Sequence, residues 1–342
     1  MKQYLILATS ALLLAACSTD STENNVAENY TPVPIQLGTS MEIATRSTSQ
    51  TLQATELESG TTVGVYIYHN GTTTSASTSY GYKNLAYTVS GTSGDLALVT
   101  ATDQPYFPQD KSKTLDIYAF APRTGVYTST GELSSLSGQD VFATTADQTA
   151  DADYRASDFV WGKAAAVTFA TASAGSIEIP LKHKLSKINI NIAPGTGMAL
   201  ANLAHARIKL NGVILQGTVN FTTGAVSPRS SVTTTSSVTL TSSASTSATK
   251  TFTSGGNSYT GCTSSAVIIP QTIAASTSFI TVELWDGSAY TTPYNVTTSA
   301  ATTFAAETEY TYNIIVNSQG LTLTTTIADW TSGGSAITGT AE

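Results

Sequence analysis

The chain has 342 residues, an apolar fraction of 41%, charged residues at only 11% and a formal net charge of −8. That length allows two ordinary domains, while the acidic balance excludes the basic stripe that nucleic-acid binding requires and disfavours anionic lipid headgroups. Threonine and serine take the place of charge, and threonine is favoured at solvent-facing strand positions, so the composition points to β structure with a neutral, hydroxyl-rich exterior.

The chain opens on Lys2, an apolar run from Leu5 to Leu14, and Ala15-Ala16 ahead of Cys17. This is the pattern of a secretory signal, too short to cross a bilayer as a helix. Its ending resembles the lipobox of bacterial lipoproteins. The resemblance implies removal of residues 1–16 and acylation of Cys17, with palmitate among the chains, at the outer membrane. One acyl chain holds only marginally, at about 0.8 kcal/mol per buried methylene, whereas several hold durably.

Residues 18–29 are polar and read as a tether, with Asp20 and Glu23 resembling the acidic export stretch of some surface lipoproteins. Val33, Ile35 and Leu37 then alternate with Pro34 and Gln36, and Met41 and Ile43 continue the rhythm past a slip at Gly38. Period-2 alternation with prolines predicts an edge strand, because proline cannot donate to a central ladder. Arg46, in Thr45-Arg46-Ser47, stands between this strand and the first globular segment and is a candidate processing site.

From Thr62 onward short alternating runs are separated by Gly, Ser, Thr and Asn clusters, the pattern of an all-β sandwich, with no convincing amphipathic helix. Val63, Val65 and Ile67 form one strand, ended by the turn signal His69-Asn70-Gly71. Leu115, Ile117 and Ala119 form another, stopping at Pro122, and Pro105 and Pro108 flank Tyr106 and Phe107 just before it. Residues 138–156 read as a loop, followed by Asp158-Phe159-Val160-Trp161 and by Val167 and Phe169. A second group of strands begins near Ser176, with Ile177, Ile179 and Leu181, then Ile188, Ile190 and Ile192. Asn211-Gly212 predicts a type I′ hairpin between 207–210 and 213–221. The Ser/Thr-rich stretch 230–253 fits either a low-complexity loop or, through its threonine alternation, weakly packed outer strands, and the second reading is preferred. Ile280, Val282 and Leu284, then Tyr310 to Val316, then Leu321 to Ile327 complete the series.

The order of these pieces resembles the fimbrillin family, subunits of type V pili. Pro105 to Pro122 is similar to its proline, strand and aromatic-Ala-x-x-Pro segment, and Asp158 to Trp161 to its acidic-hydrophobic motif. His183-Lys184-Leu185-Ser186-Lys187-Ile188, Ile268-Ile269-Pro270-Gln271 and Tyr310 to Trp330 match as well. The resemblance implies two transthyretin-like Greek-key β-sandwich domains in tandem, 47–175 and 176–342, behind a signal (1–16) and a removable propeptide strand (17–46). An arginine-specific protease would cut between Arg46 and Ser47. The segment carrying Val33, Ile35, Leu37, Met41 and Ile43 would leave, and a strand from a neighbouring pilus subunit would take its place. The lipoprotein precursor of the outer membrane would thereby become part of a surface fimbrium serving adhesion. The sequence from Thr331 to Glu342 has Ile337 as its one large apolar residue, with Ala336 beside it and Ala341 beyond, and so offers little as an apolar donor; a tip or accessory position is favoured over the stalk unless Leu321 to Ile327 is itself the donor.

Catalytic and metal-binding patterns are missing from the sequence. His69, His183 and His205 have no metal-ligand spacing. Asp147, Asp151, Asp153 and Asp158 lack the order of a calcium loop, and no nucleophile elbow or phosphate loop occurs. With Cys17 lipidated, Cys262 has no disulfide partner, and no basic neighbours activate it. The alternative class is a surface lipoprotein that binds a glycan or host protein without assembling, using Trp161, Trp285 and Tyr290 for stacking. Neither class needs a cofactor, and neither is an enzyme.

Overall fold

The computed structural model describes residues 31–41, 56–74, 80–91, 93–123, 131–133, 141–203, 205–240, 250–291, 293–318, 320–329 and 337–339. The chain from Val33 onward is one compact unit; Met1–Pro32 is another, of which only residues 31 and 32 are described. The protein is almost entirely β, as its alternating runs predict.

The first half supplies β1 (Leu37–Met41), β2 (Thr62–His69), β3 (Tyr82–Ser90), β4 (Asp95–Leu98), β5 (Leu115–Ala121), β6 (Val141–Ala143), helix α1 (Asp151–Ala156), β7 (Val160–Val167), helix α2 (Phe169–Ala174) and β8 (Ile177–His183). Seven of these strands close into a barrel in the order β1-β4-β3-β2-β5-β7-β8. Strand β8, grouped with the second half on sequence, is thus hydrogen-bonded into the first body through Val160↔His183 and its neighbours. The barrel interior is filled by the inward halves of the alternating runs, among them Val63, Val65, Ile67, Leu115, Ile117, Ile179 and Leu181. Strands β2 and β5 are buried on both faces, since Tyr66, Tyr68, Tyr118 and Phe120 point the other way into a second, aromatic cluster. The stretch 138–156, expected as a loop, contains β6 and α1. Both helices are only six residues long, below the length at which amphipathic periodicity becomes legible.

The second half adds β9 (Ser186–Pro194), β10 (Arg207–Val213), β11 (Gln216–Asn220), β12 (Ala225–Pro228), β13 (Ser236–Thr239), β14 (Lys250–Ser254), β15 (Asn257–Ile268), β16 (Gln271–Ile273), β17 (Ser278–Glu283), β18 (Tyr294–Thr297), β19 (Thr302–Phe304), β20 (Thr308–Asn317), β21 (Gly320–Asp329) and β22 (Ile337–Gly339). A four-stranded sheet, β13-β10-β17-β18, faces a six-stranded one, β14-β15-β9-β20-β21-β22. Ile188, Ile190, Ile192, Ile208, Leu210, Ile280, Val282 and Ile314 form the core between them. Of the threonine-rich stretch, residues 236–239 and 250–253 lie in outer strands, β13 and β14, each at the margin of its sheet, residues 230–235 are not strand, and residues 241–249 lie outside the described residues.

The predicted hairpin at Asn211-Gly212 is corrected. Strand β10 runs straight through it, and the register against β13 slips between Asn211 and Val213. Gly212, at φ +76°, absorbs this bulge, a role a positive-φ glycine fills as readily as that of a turn. Strand β11 pairs instead with β12 and β6.

Between barrel and sandwich lies the aromatic cluster, where Phe120, Phe142, Phe159 and Phe221 pack against Val219, Val267 and Ile269. Beside it His183 Nδ1 meets Asp158 at 2.9 Å, both side chains buried. Asp158 opens the motif ahead of β7 and His183 ends β8, so this pair pins the two strands where the chain leaves the barrel.

A candidate assembly site at the N-terminal strand

The chain ahead of β1 is clasped before the strand begins. Ile35 N–H donates to Pro105 O at 2.9 Å and Phe107 N–H donates to Val33 O at 2.9 Å, so Pro34 faces Tyr106 as a bridged pair. Bonds at 33 and 35 make Pro34 the non-hydrogen-bonded position of this short antiparallel contact, and no donor is lost there. Gln104 Nε2 adds a bond to Ile35 O at 3.1 Å. The Pro105–Pro108 segment, which in sequence only flanks a strand, is therefore one half of a clasp.

Beyond Gln36, β1 runs parallel to β8, with Leu37 to Met41 beside Ile177 to Leu181. Pro180 lies within β8 opposite Ser40, yet β8 pairs with β7 only from Leu181 onward, so proline costs that side nothing. On its other side β1 meets β4 at a single register pair, Gly38↔Asp95, supported by bonds from Thr39 N–H at 2.9 Å and Thr39 Oγ1 at 3.0 Å to Gly94 O. The predicted edge strand is thus an asymmetric one, fully laddered on one side and stitched at one point on the other. Ile35, Leu37 and Met41 are 1%, 3% and 4% exposed inside the barrel core, and Val33 packs against it. At about 1.5–3 kcal/mol for each fully buried side chain, this strand contributes several kcal/mol to the barrel as an upper estimate. Ile43, Arg46, Ser47 and Cys17 lie outside the described residues.

Where β1 and β4 diverge, a groove of about 420 Å³ opens between Ile35, Gln36 and Leu37 on one wall and Leu96 and Leu98 on the other. Val99 N–H bonds to Ala86 O at 2.9 Å. Alternation along the β3–β4 ladder then turns the N–H and C=O of Leu98 away from β3 and into this groove. The hydroxyl of Tyr87, which also lines it, is buried with no partner among the described residues.

Electrostatics weaken the outer side of β1. Gly38 faces Asp95 in one direction and Glu178 in the other, and the Glu178 carboxylate occupies the space a side chain at 38 would need. Burial, then the carboxylates of Asp95 and Glu56, push the Glu178 carboxyl above its ordinary range. The far end of the barrel shows the opposite case. Burial alone would raise Asp116, but bonds from Lys163, Gly71 N–H, Asn70 and Ala166 N–H together hold it below the usual carboxylate value.

Other residues singled out in the sequence are dispersed. Cys262 is buried in the sandwich core. Trp161 is half-buried, its Nε1 donating to Phe221 O at 2.8 Å, and a Cβ on Gly224 would strike its ring. Trp285 and Tyr290 are exposed and adjacent. Among the described residues no group of three His, Cys, Asp or Glu is placed to hold a metal ion, and no helix is long and apolar enough to cross a membrane. Leu321 and Leu323 pack on the sandwich core from β21, which is laddered along β20 from Thr308↔Asp329 to Asn317↔Gly320.

The folded body has known relatives. The full chain is 27% identical to a Bacteroides uniformis protein bearing the name fimbrium subunit Fim1C, over 100% of this chain and 99% of that one. A crystal structure from Bacteroides ovatus, described as a cell adhesion protein, matches with a TM-score of 0.61 at 19% identity, covering 88% of this chain and 99% of its own. A second, from Bacteroides uniformis and similarly described, gives 0.57 at 20% identity over 87% and 99%. The two crystal structures share the fold. Residues 45–330, most of the chain, match the profile of the fimbrillin-like family, and to that family this chain belongs.

Proposed function

We propose that this protein is a structural subunit of a surface fimbrium serving adhesion, exported as a lipoprotein acylated at Cys17 and assembled by exchange of β1 for a strand of a neighbouring subunit. The observation that carries this reading is the source of the barrel's core. Ile35, Leu37 and Met41 come from a segment that precedes Arg46 in the chain. Cleavage between Arg46 and Ser47 by an arginine-specific protease severs that segment without cutting anything downstream. Once it leaves, β8 and β4 present a bare sheet edge over an apolar slot, which takes up a foreign strand readily. A head-to-tail contact of this kind that does not close yields a filament. The precursor stays at the outer membrane on its lipid until it is cut.

The groove beside β1 provides a place for exchange to begin. An arriving strand pairs first with the edge of β4 at Leu98, where β1 already stands away, and then advances past Gly38 to displace β1 from β8. Separate cores within the one compact unit fit this scheme, because the barrel receives the strand while the sandwich keeps its own core.

Limited trypsin treatment of the purified precursor tests the reading. One early cut after Arg46 followed by oligomers on size-exclusion chromatography is expected. A cut chain that stays monomeric, or primary cuts elsewhere, would count against it. A Thr39→Cys/Ile179→Cys cross-link across β1 and β8, at positions paired in register, is expected to allow cleavage and block assembly.

A further inference from the structure

Among the described residues four large hydrophobic side chains are exposed, and two of them, Trp285 and Tyr290, stand together. Their rings lie 5.1 Å apart at 67°, on a hairpin that continues from the end of β17. The hairpin is rigid. Thr291 N–H donates to Leu284 O at 2.8 Å, Trp285 and Tyr290 are bridged, and the Asp286 carboxylate closes the turn by accepting from Ser288 N–H at 2.7 Å and Ala289 N–H at 2.8 Å. An aromatic pair held this way is presented to solvent with little conformational entropy left to lose on binding.

Next to Tyr290 is a cavity of about 150 Å³, lined by Thr149, His205, Arg207, Thr239 and Tyr290 among others. Its floor is fixed by Thr239, whose N–H and C=O bond to Ala146 and Gln148. The Arg207 guanidinium lies 3.9 Å over the Tyr290 ring and donates through Nε to Glu283, which Lys209 also reaches at 3.3 Å. Its two terminal nitrogens, and the Trp285 indole N–H, have no partner among the described residues. Thr149 spends its hydroxyl proton on Asp147 at 2.6 Å and keeps its lone pairs.

We infer that this hairpin and the pocket beside it form a binding site for a neutral pyranose at the end of a glycan chain. A pyranose has one face of polarised C–H groups, which the electron-rich face of an exposed indole attracts, and a rim of hydroxyls that both donate and accept. Arg207 and the indole N–H supply donors, Thr149 an acceptor, and a small concave pocket with a few convergent polar groups is the form such ligand sites take. The local charges decide against an acidic sugar, because Glu283, Asp147 and Asp286 offset Arg207 and Lys209. This site is independent of strand exchange, since nothing in it involves β1.

The test uses the uncut full-length chain on an array of glycans ending in galactose, mannose, fucose or N-acetylglucosamine, with sialylated forms alongside. Hits are then titrated in solution with the corresponding methyl pyranosides. Binding to a neutral terminus is expected, lost by at least about tenfold in W285A and in R207A, and partly kept in W285F. Trp285 is exposed, so W285A should retain the wild-type melting temperature. Failure to bind any neutral glycan, binding confined to sialylated forms, equal binding by W285A, or capture of a protein partner without glycan binding would each overturn the assignment.

Discussion

At the scale of single residues, the hold on the N-terminal strand concentrates in a few side chains and one glycine. Gly94 has φ +72°, and a Cβ there would run into the Thr39 carbonyl, which is backbone and cannot swing aside. Gly94→Ala is therefore expected to cost about 1–3 kcal/mol and to loosen the one stitch between β1 and β4, seen as a lower denaturation midpoint and faster trypsin cleavage. Glu178 acts in the opposite sense. Its carboxyl is raised above its ordinary value in the folded state, so folding favours the neutral form, and stability is gained as pH falls through that raised value. The wild type minus Glu178→Gln difference in melting temperature should accordingly move in favour of wild type as the pH is lowered from neutrality toward the ordinary carboxyl range. A flat difference would show that the charges around Gly38 do not act on β1.

Individual elements show what the sequence could reveal and what it could not. Strands whose inward residues alternate cleanly, such as Ile177 to Leu181 and Ile188 to Ile192, are legible because one buried face imposes a period of two. The N-terminal strand is legible for the same reason, through Val33, Ile35 and Leu37. What alternation cannot give is the partner of each strand. Its period is the same for a parallel and an antiparallel neighbour, so the join of β1 to β8 and the membership of β8 in the barrel emerge only in three dimensions. Asn211-Gly212 misleads for a related reason, because a glycine at positive φ serves a bulge as well as a turn. The clasp at Pro105 to Phe107 was hidden because its bonds are made by backbone groups, whatever side chains they carry. Trp285 and Tyr290 stood out in the sequence, but His205, Arg207 and Thr149 join them from distant segments and carried no local signal.

At the scale of the whole molecule, the three large clusters of buried side chains among the described residues divide the work, beside a small fourth at Ala193, Phe252 and Ile315. One fills the barrel and one the sandwich, while the aromatic cluster around Phe159 lies between them. Phe159 is fully buried and touches Phe120 of the barrel, Phe142 of β6 and Phe221 just beyond β11. Phe159→Ala is expected to cost about 3–5 kcal/mol and to separate one denaturation transition into two, as the barrel and sandwich lose their common contact. A single transition in that variant would place the coupling elsewhere.

The orientation of β1 against β8 carries one more implication. Because these two strands run the same way, Leu37 to Met41 beside Ile177 to Leu181, a substitute that reproduces their contacts must point in that direction too. Successive copies would then all face alike along a fibre, giving it two chemically different ends, one with a vacant seat and one with a strand still to lend. Growth at the first end could be halted by a peptide copied from residues 33–44 while the second stayed open, an asymmetry that end-labelled fibres under a microscope would make visible.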